Sequence, residues 1–139
     1  MSSSRPPRLT SALRYEDPVA AIDWLVRTLG FSEHFVARDG AGRVMHAQLK
    51  LGEAMLFLGP DNPGDNYGMR SPRALQGSTQ CICIALDNAG AVDAHFARAS
   101  AAGAEIISAP RDTEYGAHEY ACRDPEGHVW SISDYRGEP

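Results

Sequence analysis

Two phrases decide the fold of this chain: Tyr115-Gly116, and Asp124-Pro125-Glu126-Gly127-His128-Val129-Trp130 running on to Ser131-Ile132-Ser133. The Pro and Gly of Asp-Pro-Glu-Gly favour a tight turn, because Pro presets φ at one corner and Gly accepts a positive φ at another. Residues 119–123 and 129–135, on either side of that turn, have the composition of short strands. The sequence therefore predicts that the chain closes with a β-hairpin.

The first half of the chain predicts one helix among four strands. Asp17 and Pro18 are typical of an N-cap and a first helical residue. Apolar residues follow at helical spacing up to Leu29, and Gly30 is placed to end the helix. Strands are predicted at 9–16, 31–38, 43–51 and 54–58, in the order β-α-β-β-β.

The strand at 43–51 alternates cleanly between two faces. We expect one face to pack on the helices and the other to point into the interior of a curved sheet. The expected helix-facing set is Met45, Ala47, Leu49 and Leu51, and the opposite set is Val44, His46, Gln48 and Lys50.

The second half predicts the same order of elements. Residues 60–78 are rich in Pro, Gly, Asn and Asp and indicate a long linker that is functional or mobile. A strand at 80–86, a helix at about 91–102 ending at Gly103, and a strand at 105–108 follow. Pro110-Arg111-Asp112 is then expected to turn the chain into the closing hairpin.

These phrases, with Leu29-Gly30-Phe31 and residues 101–104 (Ala-Ala-Gly-Ala), resemble the glyoxalase/bleomycin-resistance/dioxygenase group, the vicinal oxygen chelate superfamily. The resemblance covers about residues 9–135. It implies an α+β fold in which two β-α-β-β-β modules form a cup-shaped mixed β-sheet with helices packed outside. We expect a single domain at 9–136, with modules at about 9–59 and 79–136, the linker 60–78 between them, and a disordered tail at 1–8.

In metal-binding members of the superfamily, each module supplies a His or Gln from its first strand and a Glu from its last. The positions here that match this pattern are Thr10 and Phe57 in the first module, and Gln80 or Cys81 with Ser131 in the second. These side chains are a poor donor set for the divalent ions that the family uses, which prefer carboxylate, imidazole and water. We therefore expect no metal and no other cofactor.

The resemblance extends to the antibiotic-resistance branch, which binds drug molecules in clefts that are often shared across a dimer. It implies a homodimer that binds a small-molecule ligand, an antibiotic or a metabolite. The residues expected to line the cup are His46, Gln48, Phe57, Tyr67, Tyr115 and His118.

An enzyme is the alternative that the sequence leaves open. A metal-dependent lyase, isomerase or dioxygenase of the same superfamily would need a different ligand set, for which His46, Gln80, His118 and Glu119 are the candidates. No nucleophile motif or phosphate-binding glycine loop is present. The catalytic residues of such an enzyme are not identified by the sequence.

Composition and charge limit the classes of binding partner and the cellular compartment that we expect. The net charge is −5 and Lys50 is the single lysine, which argues against nucleic acid. No apolar run is long enough for a membrane span, and no signal peptide is recognised, so a cytoplasmic location is expected. Cys81, Cys83 and Cys122 are an odd number for a disulfide framework and are expected to be reduced.

The cysteines and tryptophans are expected to have structural roles. Cys81 and Cys83 share one face of a strand and are interpreted as small buried apolar residues rather than as a zinc site. Trp130 is predicted to lie in the core, and Trp24 at an interface or in part of the core.

Overall fold

The structure, a computed structural model, describes residues 4–139. Its strands are β1 Ser11–Tyr15, β2 Ser32–Arg38, β3 Val44–Leu51, β4 Ala54–Pro60, β5 Cys81–Ala85, β6 Glu105–Asp112, β7 His118–Arg123 and β8 Val129–Ser133. Its helices are α1 Pro18–Trp24, which continues into one π-helical turn at Leu25–Leu29, then α2 Pro72–Leu75 and α3 Ala89–Ala101. Of the predicted tail, residues 1–3 lie outside the described part, and residues 4–8 form no helix or strand.

The strands form two four-stranded sheets, in the orders β1-β4-β3-β2 and β5-β8-β7-β6. In each sheet the first strand pairs in parallel with the last, and the other pairs are antiparallel. The two β-α-β-β-β modules and the mixed α+β class are therefore confirmed. The strands predicted to form one cup-shaped sheet form two separate four-stranded sheets.

Helix α1 begins and ends where the sequence predicts. The Asp17 side chain accepts a hydrogen bond from the Ala20 backbone N–H at 3.1 Å, and Pro18 is the first helical residue. The last turn widens, and Gly30 closes it with a φ of 88°, a value that favours glycine. Trp24 is only 7% exposed and belongs to the core.

The Asp-Pro-Glu-Gly turn holds the two modules together. Asp124, 3% exposed, accepts hydrogen bonds from the Tyr15 hydroxyl at 2.6 Å and from the Trp130 indole N–H at 3.2 Å. The same carboxylate accepts the backbone N–H groups of Glu126 and His128, so its charge is fully hydrogen-bonded. Trp130 is completely buried, as predicted.

The first helix is bonded to the second module at both ends. At its start, the Glu126 carboxylate accepts the backbone N–H of Asp17 at 2.9 Å. At its end, the Arg98 guanidinium of α3 donates to the carbonyl oxygens of Val26 and Arg27 at 3.1 and 3.0 Å. His95, also on α3, bonds the Leu29 carbonyl at 3.2 Å. These contacts hold the first helix against the second module.

Two local predictions are wrong. The turn expected at Pro110-Arg111-Asp112 is part of β6, which runs on to Asp112 with an irregular register. This strand lies at a sheet edge, where a proline that lacks an N–H is tolerated. Met45, expected on the helix side, is 51% exposed, because Ala37 pairs with His46 while Arg38 pairs with Val44. Met45 is thus the extra residue of a β-bulge, which turns Val44 into the core.

The segment between the modules is tied to the fold by side chains. Asp61 accepts two hydrogen bonds from the Arg70 guanidinium, and Asp65 pairs with Arg14 at 2.8 Å.

Within residues 4–139 no helix is long and apolar enough to cross a membrane.

Candidate functional site

The side of the first sheet away from the helices is half-buried and carries mixed chemistry. Because side chains alternate along a strand, the buried Leu13, Ala47 and Leu58 point to the helices and their neighbours point away. We call this second surface the open face of the first sheet. Its members are Ala12, Arg14, Phe35, His46, Gln48 and Phe57.

Three of the predicted site residues meet on this open face. Phe57 is directly opposite Gln48 in the sheet, and its ring contacts the His46 ring edge-to-face at a centroid distance of 5.5 Å. The Gln48 amide N–H donates to His46 Nε2 at 3.1 Å. When Nε2 accepts this hydrogen bond, the neutral His46 ring carries its proton on Nδ1, which has no hydrogen-bond partner within residues 4–139. The Gln48 carbonyl oxygen supplies an acceptor beside it.

A pocket of about 330 Å³ adjoins this group at the end of the sheet. Its lining is polar and comes from β1, β3, β4 and the loop that follows β4. The lining residues are Arg14, Met45, His46, Gly59, Pro60, Asn62, Gly64, Asp65 and Asn66.

Two other predicted lining residues, Tyr67 and Tyr115, lie in turns between strands. Tyr67 is 82% exposed in the loop between the modules. Tyr115 is at the tip between β6 and β7, with its ring 5.1 Å from that of Tyr135 and its hydroxyl 3.2 Å from the Glu119 carboxylate. In residues 4–139 neither tyrosine ring is paired with the ring of His46 or Phe57, and the Tyr67 backbone N–H donates to Asp65, which lines the pocket beside His46.

His118 lies between carboxylates beside α3. Its Nε2 is 2.7 Å from Asp93 of α3, and its Nδ1 is 2.8 Å from Asp112 of β6. Hydrogen bonds to these two carboxylates raise the pKa of His118 above its ordinary value. The side chain shares the helix-facing side of β7 with the buried Tyr120, so it does not contact the open face of either sheet.

The positions that correspond to the family's metal ligands do not fit a divalent ion. Ala12 pairs with Phe57, and Cys83 pairs with Ser131. Thr10 is two residues before the partner of Phe57, and the same count from the partner of Ser131 gives Cys81 rather than Gln80. Two hydroxyls, a phenyl ring and a thiol are not a donor set for Mg²⁺, Mn²⁺, Fe²⁺ or Ni²⁺.

The candidate metal ligands of the enzyme alternative do not form a metal site either. His118 and Glu119 are adjacent on β7 and point to opposite faces of the sheet. Glu119 is paired with Arg111 at 3.1 Å. Across residues 4–139, no group of three or more His, Cys, Asp or Glu side chains is placed to hold a metal ion.

The burial predicted for Cys81 and Cys83 is wrong, whereas all three cysteines are free thiols as expected. Cys122 is buried, but Cys81 and Cys83 are exposed on the outer face of the second sheet. The residue as a whole is exposed, but partial desolvation of the sulfur and the neighbouring Cys83 raise the pKa of Cys81 to about 11, so the thiol is protonated at neutral pH.

Sequence reasoning missed Arg14. The residue alternates with Leu13 and Tyr15, which predicts that it points away from the core, but the loop that contacts it is 51 residues further on. The local sequence would suggest Glu16 or Asp17 as its acidic partner, so nothing in it points to Asp65.

Comparison with known proteins agrees with this architecture. A family model described as Glyoxalase/Bleomycin resistance protein/Dioxygenase superfamily matches residues 9–132. Uncharacterised proteins of Mycobacterium bovis and Mycobacterium tuberculosis are 30% identical over 133 residues. The match spans 95% of this chain and 86% and 76% of theirs.

Solved structures share the fold. TioX from Micromonospora sp. ML1 superposes with a TM-score of 0.75 at 30% identity, over 94% of this chain and all of that one (100%). The bleomycin resistance determinant encoded on the transposon Tn5 superposes with a TM-score of 0.67 at 21% identity, over 95% of this chain and 100% of its own. At that identity the second likeness concerns the fold alone.

Proposed function

As this chain belongs to the Glyoxalase/Bleomycin resistance protein/Dioxygenase superfamily, we propose that it binds a small organic molecule with an aromatic ring, without a metal ion, on the open face of its first sheet. The ligand is an antibiotic or a metabolite. The observation that carries the proposal is the group formed by His46, Gln48 and Phe57.

The chemistry of this group supports an aromatic ligand. The Phe57 and His46 rings, in contact at 5.5 Å, offer a surface for edge-to-face or offset stacking. His46 Nδ1–H and the Gln48 carbonyl oxygen provide one donor and one acceptor beside that surface. A few oriented polar groups beside aromatic side chains are typical of small-molecule sites.

A second copy of the chain would complete the cleft. The open face is half-buried in one chain, and Phe35 and Met45 on the same side of the molecule are each 51% exposed. The edge strand β1 also has one unpaired side. A homodimer that covers these surfaces would remove the aromatic site from water.

No observation favours the metal-dependent alternative. The side chains at the family's ligand positions, Thr10, Phe57, Cys81 and Ser131, lack a carboxylate and an imidazole. The proposed site therefore works by stacking and hydrogen bonding.

The test is a binding screen with aromatic fragments against four forms of the protein. We expect thermal stabilisation of the wild type by at least one bicyclic aromatic fragment. His46→Ala and Phe57→Ala should each weaken that binding by about tenfold or more, the scale of one lost aromatic or hydrogen-bonding contact. Tyr135→Ala, an aromatic change just beyond the last strand of the second sheet, is the matched control and should bind normally.

The proposal is contradicted if fragments that bind the wild type bind His46→Ala and Phe57→Ala equally well. It is also contradicted if Tyr135→Ala alone loses binding, since the site would then lie on the second module.

A further inference from the structure

The pocket beside His46 contains a guanidinium that is recessed but open. The Arg14 side chain is only 15% exposed, and its Nε donates to Asp65 Oδ1 at 2.8 Å. Among the hydrogen bonds of residues 4–139, none uses the two terminal nitrogens, Nη1 and Nη2. Within the same residues, Thr28 Oγ1 is the only fully buried side-chain polar atom that lacks a hydrogen-bond partner. The two Arg14 nitrogens also lack a partner, so they are not fully buried and reach open space.

Gly59 keeps that space open. A Cβ added at this position would lie 3.6 Å from Arg14 Nη1 and 3.5 Å from the Met45 carbonyl oxygen. Both are ordinary contacts, so the fold tolerates a side chain here. With glycine present, the guanidinium fork is uncovered on the pocket side.

Asp65 orients the guanidinium without closing the pocket. Its second oxygen, Oδ2, accepts the backbone N–H groups of Tyr67 and Met69 at 2.9 and 3.0 Å. The hydrogen bond from Met69 and the one from Arg14 lower the pKa of Asp65, so it remains an anion. Asp65 is the only carboxylate in the lining of the pocket, and its hydrogen bonds are directed to the loop and to Nε.

The remaining lining groups match a planar anion. His46 offers Nδ1–H, and Asn62 and Asn66 contribute side-chain amides. The two terminal nitrogens of an arginine form the fork that binds a carboxylate through two parallel hydrogen bonds. The volume of about 330 Å³ exceeds the space that a carboxylate needs.

We propose that this pocket takes a carboxylate group of the ligand, held by Arg14 Nη1 and Nη2, while the aromatic ring of the same molecule contacts Phe57 and His46. The inference rests on the proposed function and names its ligand class, an aromatic carboxylate. The acid group would be anchored at the end of the first sheet, and the ring would lie along the open face.

The test compares 2-naphthoate with its neutral analogue 2-naphthamide by calorimetric titration. Wild type should bind 2-naphthoate about tenfold more tightly, the scale of a hydrogen bond to a charged group. In Arg14→Gln the two probes should bind equally. Arg111→Gln removes the same charge from an exposed pair on the second sheet and should keep the wild-type ratio.

A second variant keeps the test valid if Arg14→Gln does not fold. Gly59→Ala places a methyl group before Nη1 at a permitted distance, so the protein should fold and lose part of its preference for 2-naphthoate. Equal binding of the two probes to the wild type, or an unchanged ratio in Arg14→Gln, overturns the carboxylate inference and leaves the proposed function standing. Failure of both probes to bind the wild type overturns both.

Discussion

Asp124 is the single residue on which the two modules most depend. Its carboxylate accepts four hydrogen bonds, from Tyr15, Trp130 and the backbone N–H groups of Glu126 and His128. Burial and the nearby Asp124 charge raise the pKa of Tyr15, so its hydroxyl stays a donor at any physiological pH. The Asp-Pro-Glu-Gly turn therefore joins the two modules through buried hydrogen bonds.

Asp124→Asn should lower the free energy of unfolding by about 2–4 kcal/mol, because the new amide N–H groups face donors in a buried network. Asp87→Asn, at a 91% exposed side chain paired with Arg136, should change it by less than about 0.5 kcal/mol. Urea denaturation measures both variants. Equal effects of the two substitutions would show that the network does not stabilise the fold.

Two histidines give the stability of the protein opposite pH dependences. Burial lowers the pKa of His95 below the ordinary 6.5, so its neutral form is favoured in the folded state. The unfolded chain then takes up more protons, and the free energy of unfolding should fall as the pH drops below about 6.5. Hydrogen bonds to Asp93 and Asp112 raise the pKa of His118, whose stabilisation is present below 6.5 and lost as the pH rises through the folded-state value.

Urea denaturation between about pH 5 and about pH 8 separates the two effects. His118→Asn should make the loss of stability in acid steeper, because the opposing group is gone. His95→Gln should make it shallower. A steeper acid loss in His95→Gln would contradict the burial of the neutral imidazole.

Among the elements, the first helix depends on its contact with α3. The Arg98 guanidinium donates to two carbonyl oxygens at the C-terminal end of the first helix, where a positive charge is favourable. Arg98→Ala should cost about 1 kcal/mol of unfolding free energy. Arg27→Ala, which removes an exposed i,i+4 pair with Asp23, should cost less than about 0.5 kcal/mol.

Thermal and urea unfolding of the two variants provide the comparison. A loss from Arg27→Ala as large as that from Arg98→Ala would mean that the contact between the two helices contributes nothing beyond local helix charge.

Local signals explain which elements the sequence predicts. The N-cap at Asp17, the glycine that ends the first helix and the burial of Trp130 each follow from neighbouring residues, and the structure confirms them. The alternation of β3 fails at Met45, because a bulge depends on the pairing with β2 and leaves no mark in the strand itself.

Long-range contacts explain what the sequence does not predict about the candidate site. His46, Gln48 and Phe57 are within one hairpin, and alternation brings them to one face. His118 is positioned by Asp93, 25 residues earlier on another element, and Arg14 by Asp65 in the linker. Nothing in the spacing of these residues indicates such partners.

For the molecule as a whole, we expect a dimer. Sedimentation equilibrium should give a mass of twice 15.0 kDa. Phe35→Asp places a charge on the exposed apolar side of the first sheet and should weaken the dimer by tenfold or more, about 1.4 kcal/mol. Leu75→Asp, at a residue that is 63% exposed on α2, is the control and should leave the mass unchanged. A wild-type monomer at all concentrations would contradict the shared cleft.

The central claim, a metal-free aromatic site on the first sheet, is tested most directly by titrating EDTA-dialysed protein with 2-naphthamide while recording amide NMR shifts. We predict saturable binding, with the largest shifts in β3 and β4 around His46, Gln48 and Phe57, and no change when Mg²⁺, Mn²⁺ or Ni²⁺ is added. Binding that appears only after a divalent ion is added, or shifts confined to the second sheet, would contradict the account.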